Sequence, residues 1–537
     1  MNGWTSLLLV VCCGALHVMA TEQPENHFSY VLNQHKQLWD RLDEDEIARL
    51  GIKMRAANYT ISYLPQPLDH FEVQTTGQYQ QKYYVVDQYW RKPDGPVFLY
   101  IGGEWTMNPY EFSNGPIADL AVTEGALILA VEHRFYGIIS QEYMKLDQLN
   151  YLSSQQALAD LVSFHAYATK TFKLTEKNLW ISFGCSYPGA LTAWFRLKYP
   201  HLVHGAVSSS GPVRAAANFR EYNEVVTSAF GDPVALGSEQ CVSRIKSAFQ
   251  AVGTMLANEQ WSELQQAFNI CLPLTDINDR KMFASTLQDT FMGAAQYNVL
   301  YASTRPTVGG ICNIMTNESF SDPLDALKAV YFKHVVSGPT CTDASYSNFI
   351  NFYRNDSHVT STRPWLYQTC TEYGYYQTCD ADTNCMFLDL VDLDWWLQVC
   401  KDIFGVELGS EVLDHVDFTN SYYGADKPWG SRIVFANGDL DPWHALGVKE
   451  NLAESMKAVM IRGGSHCQDT RATTSYDTEA LKAGRIAIKN EVKKWLASPG
   501  YYQPEPEECP SSADPLGRSF QPTLIMLGVF LGGCLKR

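Results

Sequence analysis

The stretch "LWISFGCSYPGALTAWFRLKYP", from Leu179 to Pro200, decides the fold that this sequence predicts. An apolar run of strand type ends at Gly184, and apolar residues at helical spacing follow from Gly189. Ser186 lies between the two. A serine on a sharp strand-to-helix turn is typical of a nucleophile elbow, whose usual form is G-x-S-x-G. For the motif alone, the alternative is a packed structural serine.

The predicted elbow departs from the usual form at Pro188, which stands where a glycine is expected. A proline is tolerated there because it falls in the first turn of the following helix, where a missing N–H costs little. The turn lifts the Ser186 hydroxyl above the sheet and aims the amide of Tyr187 at the space where an oxyanion would form. Gly184 and Gly189 keep the turn free of side chains.

Apolar runs of strand length alternate with helical patterns on either side of the elbow. Such alternation predicts an α/β fold with a parallel sheet that helices cover on both faces. The strand-like runs cover residues 96–105, 126–137, 178–184, 203–212, 431–438 and 456–464, and the clearest helical patterns cover 155–172, 189–199 and 479–498.

The region from 214 to 395 breaks this alternation. It is helix-rich at first and then rich in cysteine and aromatic residues, which predicts an inserted, disulfide-bonded lid domain. The predicted organisation is therefore a first part of the α/β domain at 21–213, the lid at 214–395, a second part at 396–500 and a tail at 501–537.

Charge and the N-terminus indicate a secretory protein that does not bind nucleic acid. The 537 residues carry a net charge of −17, which argues against nucleic acid and anionic membranes as partners. Residues 1–20 read as a signal peptide, with an apolar core from Leu7 to Leu16. Secretion, or the lumen of lysosomes or endosomes, is the predicted destination. Three glycosylation sequons fit this route, at Asn58, Asn317 and Asn355.

Of the 14 cysteines, eight lie between Cys241 and Cys400. In a secreted chain this clustering predicts disulfides, and the absence of a CxxC pair disfavours a metal site. The apolar tail segment from Thr523 to Leu535 resembles a signal for a glycolipid membrane anchor. The alternative is a frayed or docked tail.

Removal of the signal peptide would take away Cys12 and Cys13, and removal of the apolar tail segment would take away Cys534. Eleven cysteines would remain, an odd number. Cys185 is predicted to be the unpaired one, because an elbow is tightly packed and a disulfide there would be hard to fit. The remaining ten would form five bridges.

Partners for a serine nucleophile follow two late strands. On an α/β-hydrolase sheet the chain order is serine, then acid, then histidine. Asp439 and Asp441 come directly after one strand, and His466 lies in a glycine loop after the next. His444 is too close to Asp441 to come from a separate loop, and His133, after an early strand, is typical of a structural histidine.

Several separated stretches together resemble one peptidase family: "GCSYPGALTAWFRLKYP", "YIGGEW", "EHRFYG", "YLSSQQALADL", "NGDLDPWHALG" and "GGSHCQD". From about Gln66 to Ser498 the chain is similar to the family of lysosomal prolyl carboxypeptidase, dipeptidyl peptidase II and thymus-specific serine protease, and is closest to the thymus-specific type. The resemblance implies an α/β-hydrolase with an inserted helical lid, and peptidase activity.

Carried onto this sequence, the family's nucleophile falls on Ser186, its acid on Asp441 rather than Asp439, and its base on His466. The implied oxyanion hole uses the Tyr187 amide and the backbone of the glycine turn, from Gly102 or Gly103.

Two further residues are predicted to bind substrate. Glu104 would meet a substrate amine, or else be a buried carboxylate that accepts backbone hydrogen bonds, and Trp443 would form an apolar wall. The chain departs from the proline-cleaving carboxypeptidase at Ala190 and Thr470, where that enzyme has a bulky apolar residue and an aromatic. Strict selectivity for proline is therefore not implied. Cys467 is expected to tie the histidine loop to the lid through a disulfide.

The sequence thus predicts a serine-type peptidase that cleaves peptides through an acyl-enzyme and needs no metal or cofactor. An exopeptidase is favoured, either a carboxypeptidase or a dipeptidyl peptidase, with cleavage after proline as one possibility. The alternatives are an esterase with the same triad and a catalytically silent binding protein. A homodimer is left open.

Overall fold

The computed structural model describes residues 58–498, except for 73, 76, 138–139, 300–305, 336–340 and 406–407. The predicted signal peptide and the C-terminal tail, with Cys509 and Cys534, lie outside the described residues. Within the described ranges, no helix has the length and apolar character needed to cross a bilayer.

Eight strands form the central sheet, in the order β1-β2-β4-β3-β5-β6-β9-β10. β2 is antiparallel to both of its neighbours, and the other adjacent strands pair in parallel. This is the sheet of an α/β-hydrolase, so the predicted fold class is confirmed. The strands are β1 (Thr60–Pro67), β2 (Gln78–Val86), β3 (Val97–Ile101), β4 (Leu127–Val131), β5 (Trp180–Cys185), β6 (Gly205–Ser209), β9 (Ile433–Gly438) and β10 (Met456–Ile461), while β7 (Ala216–Asn218) and β8 (Gly374–Tyr376) pair separately.

The central strands are buried on both faces, as their continuous apolar sequences require. Every residue of β3 and β4 is buried. Alternate side chains enter opposite cores: Leu99 and Leu129 join one apolar cluster, and Phe98 and Ile128 join the other. The position of β3 between β4 and β5 marks the point where the strand order reverses, and ligands of open α/β sheets bind at the carboxyl ends of strands at such a point.

Helices cover the sheet and fill the segment between β6 and β9. The helix Tyr187–Lys198 packs on β5 and β6, and the helix Glu479–Ala497 packs on β9 and β10. The helices are α1 (Tyr110–Ser113), α2 (Gly115–Glu124), α3 (Gln141–Met144), α4 (Leu146–Leu149), α5 (Ser154–Phe172), α6 (Tyr187–Lys198), α7 (Glu221–Gly231), α8 (Glu239–Ala257), α9 (Trp261–Phe268), α10 (Ile277–Gln296), α11 (Val308–Met315), α12 (Pro323–His334), α13 (Tyr346–Arg354), α14 (Thr362–Gln368), α15 (Leu393–Phe404), α16 (Leu408–Tyr423) and α17 (Glu479–Ala497).

The segment between β6 and β9 holds α7 to α16 and the small β7–β8 sheet. Four disulfides cross-link it: Cys241–Cys312, Cys271–Cys341, Cys370–Cys400 and Cys379–Cys385. The helical, disulfide-bonded character expected of an inserted lid is therefore present, while the boundaries drawn at 214 and 395 stay a prediction.

Candidate active site

Ser186 occupies the turn between β5 and α6 in a conformation that few serines adopt. Its φ is 65° and its ψ is −134°, a strained combination for a residue with a Cβ. The Ser186 N–H donates to the carbonyl of Ser209 on β6, at 2.9 Å. The strain is thus held by the neighbouring strand, as in a nucleophile elbow.

Close backbone contacts explain the glycines and the proline of this turn. A Cβ on Gly184 would overlap the Pro188 carbonyl, and a Cβ on Gly103 would overlap the Pro188 ring. Pro188 itself lies in the first turn of α6, as predicted, where its missing N–H breaks no helical hydrogen bond.

The predicted acid and the predicted base lie at the same edge of the sheet. Asp441 follows β9 and is fully buried, and its Oδ1 accepts the Trp443 N–H at 3.0 Å. Its Oδ2 lies 2.8 Å from Nδ1 of His466, which follows β10 and is 1% exposed. A hydrogen bond from Nδ1–H selects the tautomer in which Nε2 accepts a proton.

The second aspartate after β9 serves the backbone of the loop instead. Asp439 pairs with Arg462 at 2.8 Å and accepts the Gly463 N–H at 2.6 Å. Of the two aspartates that the sequence placed after this strand, only Asp441 has a hydrogen bond to the His466 ring among the described contacts.

The other two histidines that the sequence analysis considered have structural partners. Nε2 of His133 lies 2.9 Å from the Tyr187 hydroxyl, and its Nδ1 lies 3.0 Å from the Arg134 carbonyl. Burial lowers the pKa of His133 to about 4, so this imidazole is neutral. His444 directs its Nδ1 to the backbone carbonyl of Asp441, at 2.6 Å.

The backbone amides near Ser186 differ in what they already bind. Tyr187 is the first residue of α6, so its N–H has no partner within the helix. The Gly102 N–H donates to the Val131 carbonyl at 2.8 Å and is committed to the sheet. Gly103 is therefore the better of the two candidates for the second oxyanion donor.

Glu104 has a buried carboxyl group close to Ser186. The Ser186 hydroxyl and the amide of Glu104 itself both act to lower the pKa of this carboxyl, against the larger effect of burial. Its Oε2 is buried without a hydrogen-bond partner among the described residues. Burial raises the pKa of Glu104 to about 8, and the nearby Glu111 adds to the rise. Glu104 is therefore a buried carboxyl beside Ser186 with one oxygen that has no hydrogen-bond partner among the described residues, and its two predicted roles, toward a substrate amine and toward the backbone, stay predictions.

Aromatic side chains surround Trp443. The ring centroid of Trp443 lies 5.3 Å from that of Tyr375, 5.5 Å from Phe219 and 6.4 Å from His466. The ring centroid of Tyr297 also lies 5.8 Å from that of His466, in an edge-to-face arrangement. Sequence reasoning missed Phe219, Tyr297 and Tyr375. They come from the segment between β6 and β9, and its high aromatic content was their only signal.

The two positions that depart from the proline-cleaving relatives lie in different surroundings. Ala190 is fully buried in α6. Thr470 donates its hydroxyl to the Cys467 carbonyl at 2.9 Å. It also lines a cavity of about 340 Å³ whose walls include Phe183 and Ile488. Neither the three predicted catalytic residues nor Trp443 lines this cavity.

The prediction of an unpaired Cys185 was wrong. Cys185 and Cys467 form a disulfide, with their Cα atoms 5.7 Å apart, a normal spacing for such a bond. Cys467 is therefore tied to the elbow, whereas a disulfide to the lid had been expected. Tight packing brings the end of β5 against the histidine loop, and so it supplies a partner for Cys185. The described residues contain five bridges between ten cysteines. The number agrees with the prediction, but the set does not, because the predicted ten left out Cys185 and included Cys509.

Comparison with known proteins identifies related peptidases. The profile of the family described as serine carboxypeptidase S28 matches residues 66–488. The human thymus-specific serine protease is 36% identical over 479 residues, which cover 87% of this chain and 92% of that protein. The human lysosomal Pro-X carboxypeptidase is 28% identical over 460 residues, covering 82% and 89%. A crystal structure of proline iminopeptidase from Mycobacterium smegmatis aligns with 82% of this chain and all of that one, at 12% identity and a TM-score of 0.34.

Proposed function

Since the chain belongs to the serine carboxypeptidase S28 family, we propose that this serine-type peptidase works through a catalytic triad of Ser186, Asp441 and His466. The observation that carries the proposal is the buried 2.8 Å hydrogen bond between His466 and Asp441. It lies at the sheet edge where Ser186 occupies an elbow of positive φ. The three residues also follow one another in the chain order typical of this fold.

The triad performs acyl transfer in two halves. His466 takes the Ser186 proton through Nε2 while the hydroxyl oxygen attacks the peptide carbonyl. Asp441 holds the imidazole tautomer and stabilises the cation that forms. The amides of Tyr187 and Gly103 stabilise the oxyanion. His466 then protonates the leaving amine, and water, activated by the same imidazole, releases the acyl group from Ser186.

A serine-directed fluorophosphonate probe, combined with hydrolysis of a mixed peptide library, tests the triad. Wild type should be labelled at Ser186 and should cleave peptides, whereas Ser186→Ala should do neither. Cleavage of simple esters without any peptide would favour the esterase alternative. Unlabelled, inactive wild type that binds peptides would favour a silent binding protein. Peptide products that persist in Ser186→Ala would contradict the proposal.

We propose that Glu104 selects one end of the substrate, which makes the enzyme an exopeptidase. Its open Oε2 beside the nucleophile supports a contact with the free amino group of a peptide. A substrate ammonium would also stabilise the ionised carboxylate, which burial otherwise disfavours. Cleavage would then occur close to the amino end, as in a dipeptidyl peptidase.

Paired peptides with free and acetylated amino ends test this assignment. Wild type should prefer the free amine by at least about tenfold in kcat/KM, and Glu104→Gln should lose that preference because the amide carries no charge. A carboxypeptidase would behave differently. If blocking the carboxyl end stops cleavage, and Glu104→Gln is fully active, the amino-end assignment is wrong.

The aromatic wall of Trp443, Tyr375 and Phe219 supports an apolar residue at the cleaved bond, proline included. Flat aromatic rings pack well on a pyrrolidine ring, but no feature of the wall demands one. Products of the peptide library, sequenced by mass spectrometry, should end in apolar residues of more than one type. Products ending in proline alone would show that the wall is stricter than proposed.

We propose that the protein enters the secretory route and acts in the lysosomal lumen or after secretion. The asparagines of the three sequons, Asn58, Asn317 and Asn355, are all exposed, and relatives include lysosomal Pro-X carboxypeptidases. Each Asn→Gln change should remove one glycan, so the protein should migrate faster on a denaturing gel. The total shift in mobility that a glycosidase produces should become smaller by the same amount. Release of the protein from cells by a phospholipase would indicate the glycolipid anchor, and its presence in the medium without treatment would argue against one.

A further inference from the structure

The Cys185–Cys467 disulfide joins the two chain segments that carry the catalytic chemistry. Cys185 directly precedes Ser186, and Cys467 directly follows His466. The bridge links positions 282 residues apart. Because of it, the shortest covalent path from the nucleophile to the base runs through two peptide units and one disulfide. The other four bridges lie within the segment between β6 and β9.

Both ends of this bridge adjoin strained backbone. Ser186 has a φ of 65°, and Cys467 itself has a φ of 55°. Residues with a Cβ adopt such angles only where the surroundings hold them. Cys467 also donates its N–H to the Ser210 hydroxyl at 2.9 Å. The disulfide and this hydrogen bond thus attach the loop that carries the base to the ends of β5 and β6.

The bridge is well protected from solvent. Cys185 is 3% exposed and Cys467 is 1% exposed. A buried bond between neighbours of the reacting groups is suited to a permanent structural role at the site. It is poorly placed for rapid exchange with thiols in solution, which requires access to a sulfur atom.

We propose that Cys185 and Cys467 are positioning residues of the catalytic site, whose disulfide sets the Ser186 hydroxyl against the His466 imidazole. The proposal rests on the triad assigned above. Loss of the bridge would free the base loop to shift relative to the elbow. A displacement of about 1 Å between reacting groups lowers the rate by about 100-fold. Substrate binding depends on other walls of the site, so the loss should fall on kcat and not on KM.

A double variant with a matched control separates positioning from general stability. Cys185→Ala/Cys467→Ala removes the bridge at the site, and Cys241→Ala/Cys312→Ala removes another buried bridge within the segment between β6 and β9. Steady-state kinetics should be combined with the rate constant for labelling by a fluorophosphonate and with an active-site titration that counts competent molecules.

The site variant should lose about 10- to 100-fold in kcat and in labelling rate, with KM within about threefold of wild type. The control should keep kcat within about threefold. Equal kcat losses in both variants would overturn the proposal, as would an unchanged kcat in the site variant. If Ser186→Ala is as active as wild type, the triad itself is refuted. This result differs from those that overturn the bridge proposal, so the two failures can be told apart.

Native wild-type enzyme provides a second test if a variant does not fold. Incubation with a dithiol reduces a protein disulfide to two thiols while the reagent becomes a cyclic disulfide. Mass spectrometry of alkylated peptides then reports which bridge has opened. Activity should persist until the Cys185–Cys467 bridge is reduced, and in samples that are reoxidised without alkylation it should return. Activity that survives reduction of this bridge, or that is lost while the bridge is intact, would overturn the proposal.

Discussion

Replacement of Glu104 by glutamine should flatten the dependence of stability on pH. Burial raises the pKa of this carboxyl from 4.5 to about 8, so the folded state holds a proton that the unfolded state releases above pH 4.5. A group with a raised pKa contributes stability that is fully present below its unfolded pKa and is lost as the pH rises through its folded pKa. Wild type should therefore lose stability between about pH 4.5 and pH 8.

The size of the effect follows from the shift. A difference of about 3.5 pKa units, at about 1.36 kcal/mol per unit, amounts to about 5 kcal/mol at pH 8. The slope is about 1.4 kcal/mol per pH unit. With roughly 420 described residues and an unfolding entropy of about 2.1 cal/mol/K per residue, each pH unit corresponds to about 1.5 °C in Tm. Glutamine is neutral at every pH and removes this contribution.

Scanning calorimetry at one scan rate, from pH 5 to pH 8, measures the difference. The Tm of Glu104→Gln minus that of wild type should rise by about 1.5 °C per pH unit. Glu454→Gln, at a side chain that is 86% exposed, should run parallel to wild type. Glu111, whose pKa burial raises to about 7, leaves both proteins with some residual slope. Parallel curves for Glu104→Gln and wild type would refute the assignment of a protonated Glu104.

Three further substitutions test the site. Asp441→Asn should lower kcat by about 10³- to 10⁴-fold with little change in KM. Asp439→Asn leaves the His466 hydrogen bond intact, so its kcat should stay within about tenfold of wild type. Steady-state kinetics measure both variants, and a larger loss of kcat in Asp439→Asn would exclude Asp441 as the acid. Trp443→Ala should lower kcat/KM for peptides with an apolar residue at the cleaved bond by about 10- to 200-fold, while the rate of labelling by a fluorophosphonate should change far less. Equal losses in kcat/KM and in labelling rate would mean that Trp443 supports the triad and does not bind the substrate. Gly184→Ala places a Cβ against the Pro188 carbonyl and should greatly reduce the yield of secreted, folded protein. The Cβ added by Gly231→Ala has its nearest neighbouring atom at 3.6 Å, so this control should be secreted normally. Similar yields of the two variants would show that the elbow tolerates a side chain at Gly184.

The strands of the α/β domain could be predicted because their signals are local. β3, β4, β5 and β9 are continuous apolar runs, and strands buried on both faces need such sequences wherever they lie in the chain. The elbow at Ser186 was recognisable for the same reason, since a strand, a tight turn and a helix are adjacent in sequence. β1 was not singled out because only Leu64 and Gln66 of its residues are buried, so its apolar pattern is weak.

The contacts between the loops had to come from the tertiary structure. Both Asp439 and Asp441 follow β9, and the direction of each side chain decides which one reaches His466, 25 residues further along. The choice between Gly102 and Gly103 likewise depends on a hydrogen bond to β4.

The sequence by itself thus determined the fold class, the elbow at Ser186 and the order in which a serine, an aspartate and a histidine follow strands along the chain, because each of these depends on patterns within a few neighbouring residues. The tertiary structure alone decided the pairing of Cys185 with Cys467 and the aromatic wall around Trp443. These contacts join segments up to 282 residues apart. Contacts between segments so far apart in sequence depend on how the strands are ordered in the sheet and on how the inserted segment packs over the edge of the sheet. No short stretch of the chain encodes either of these.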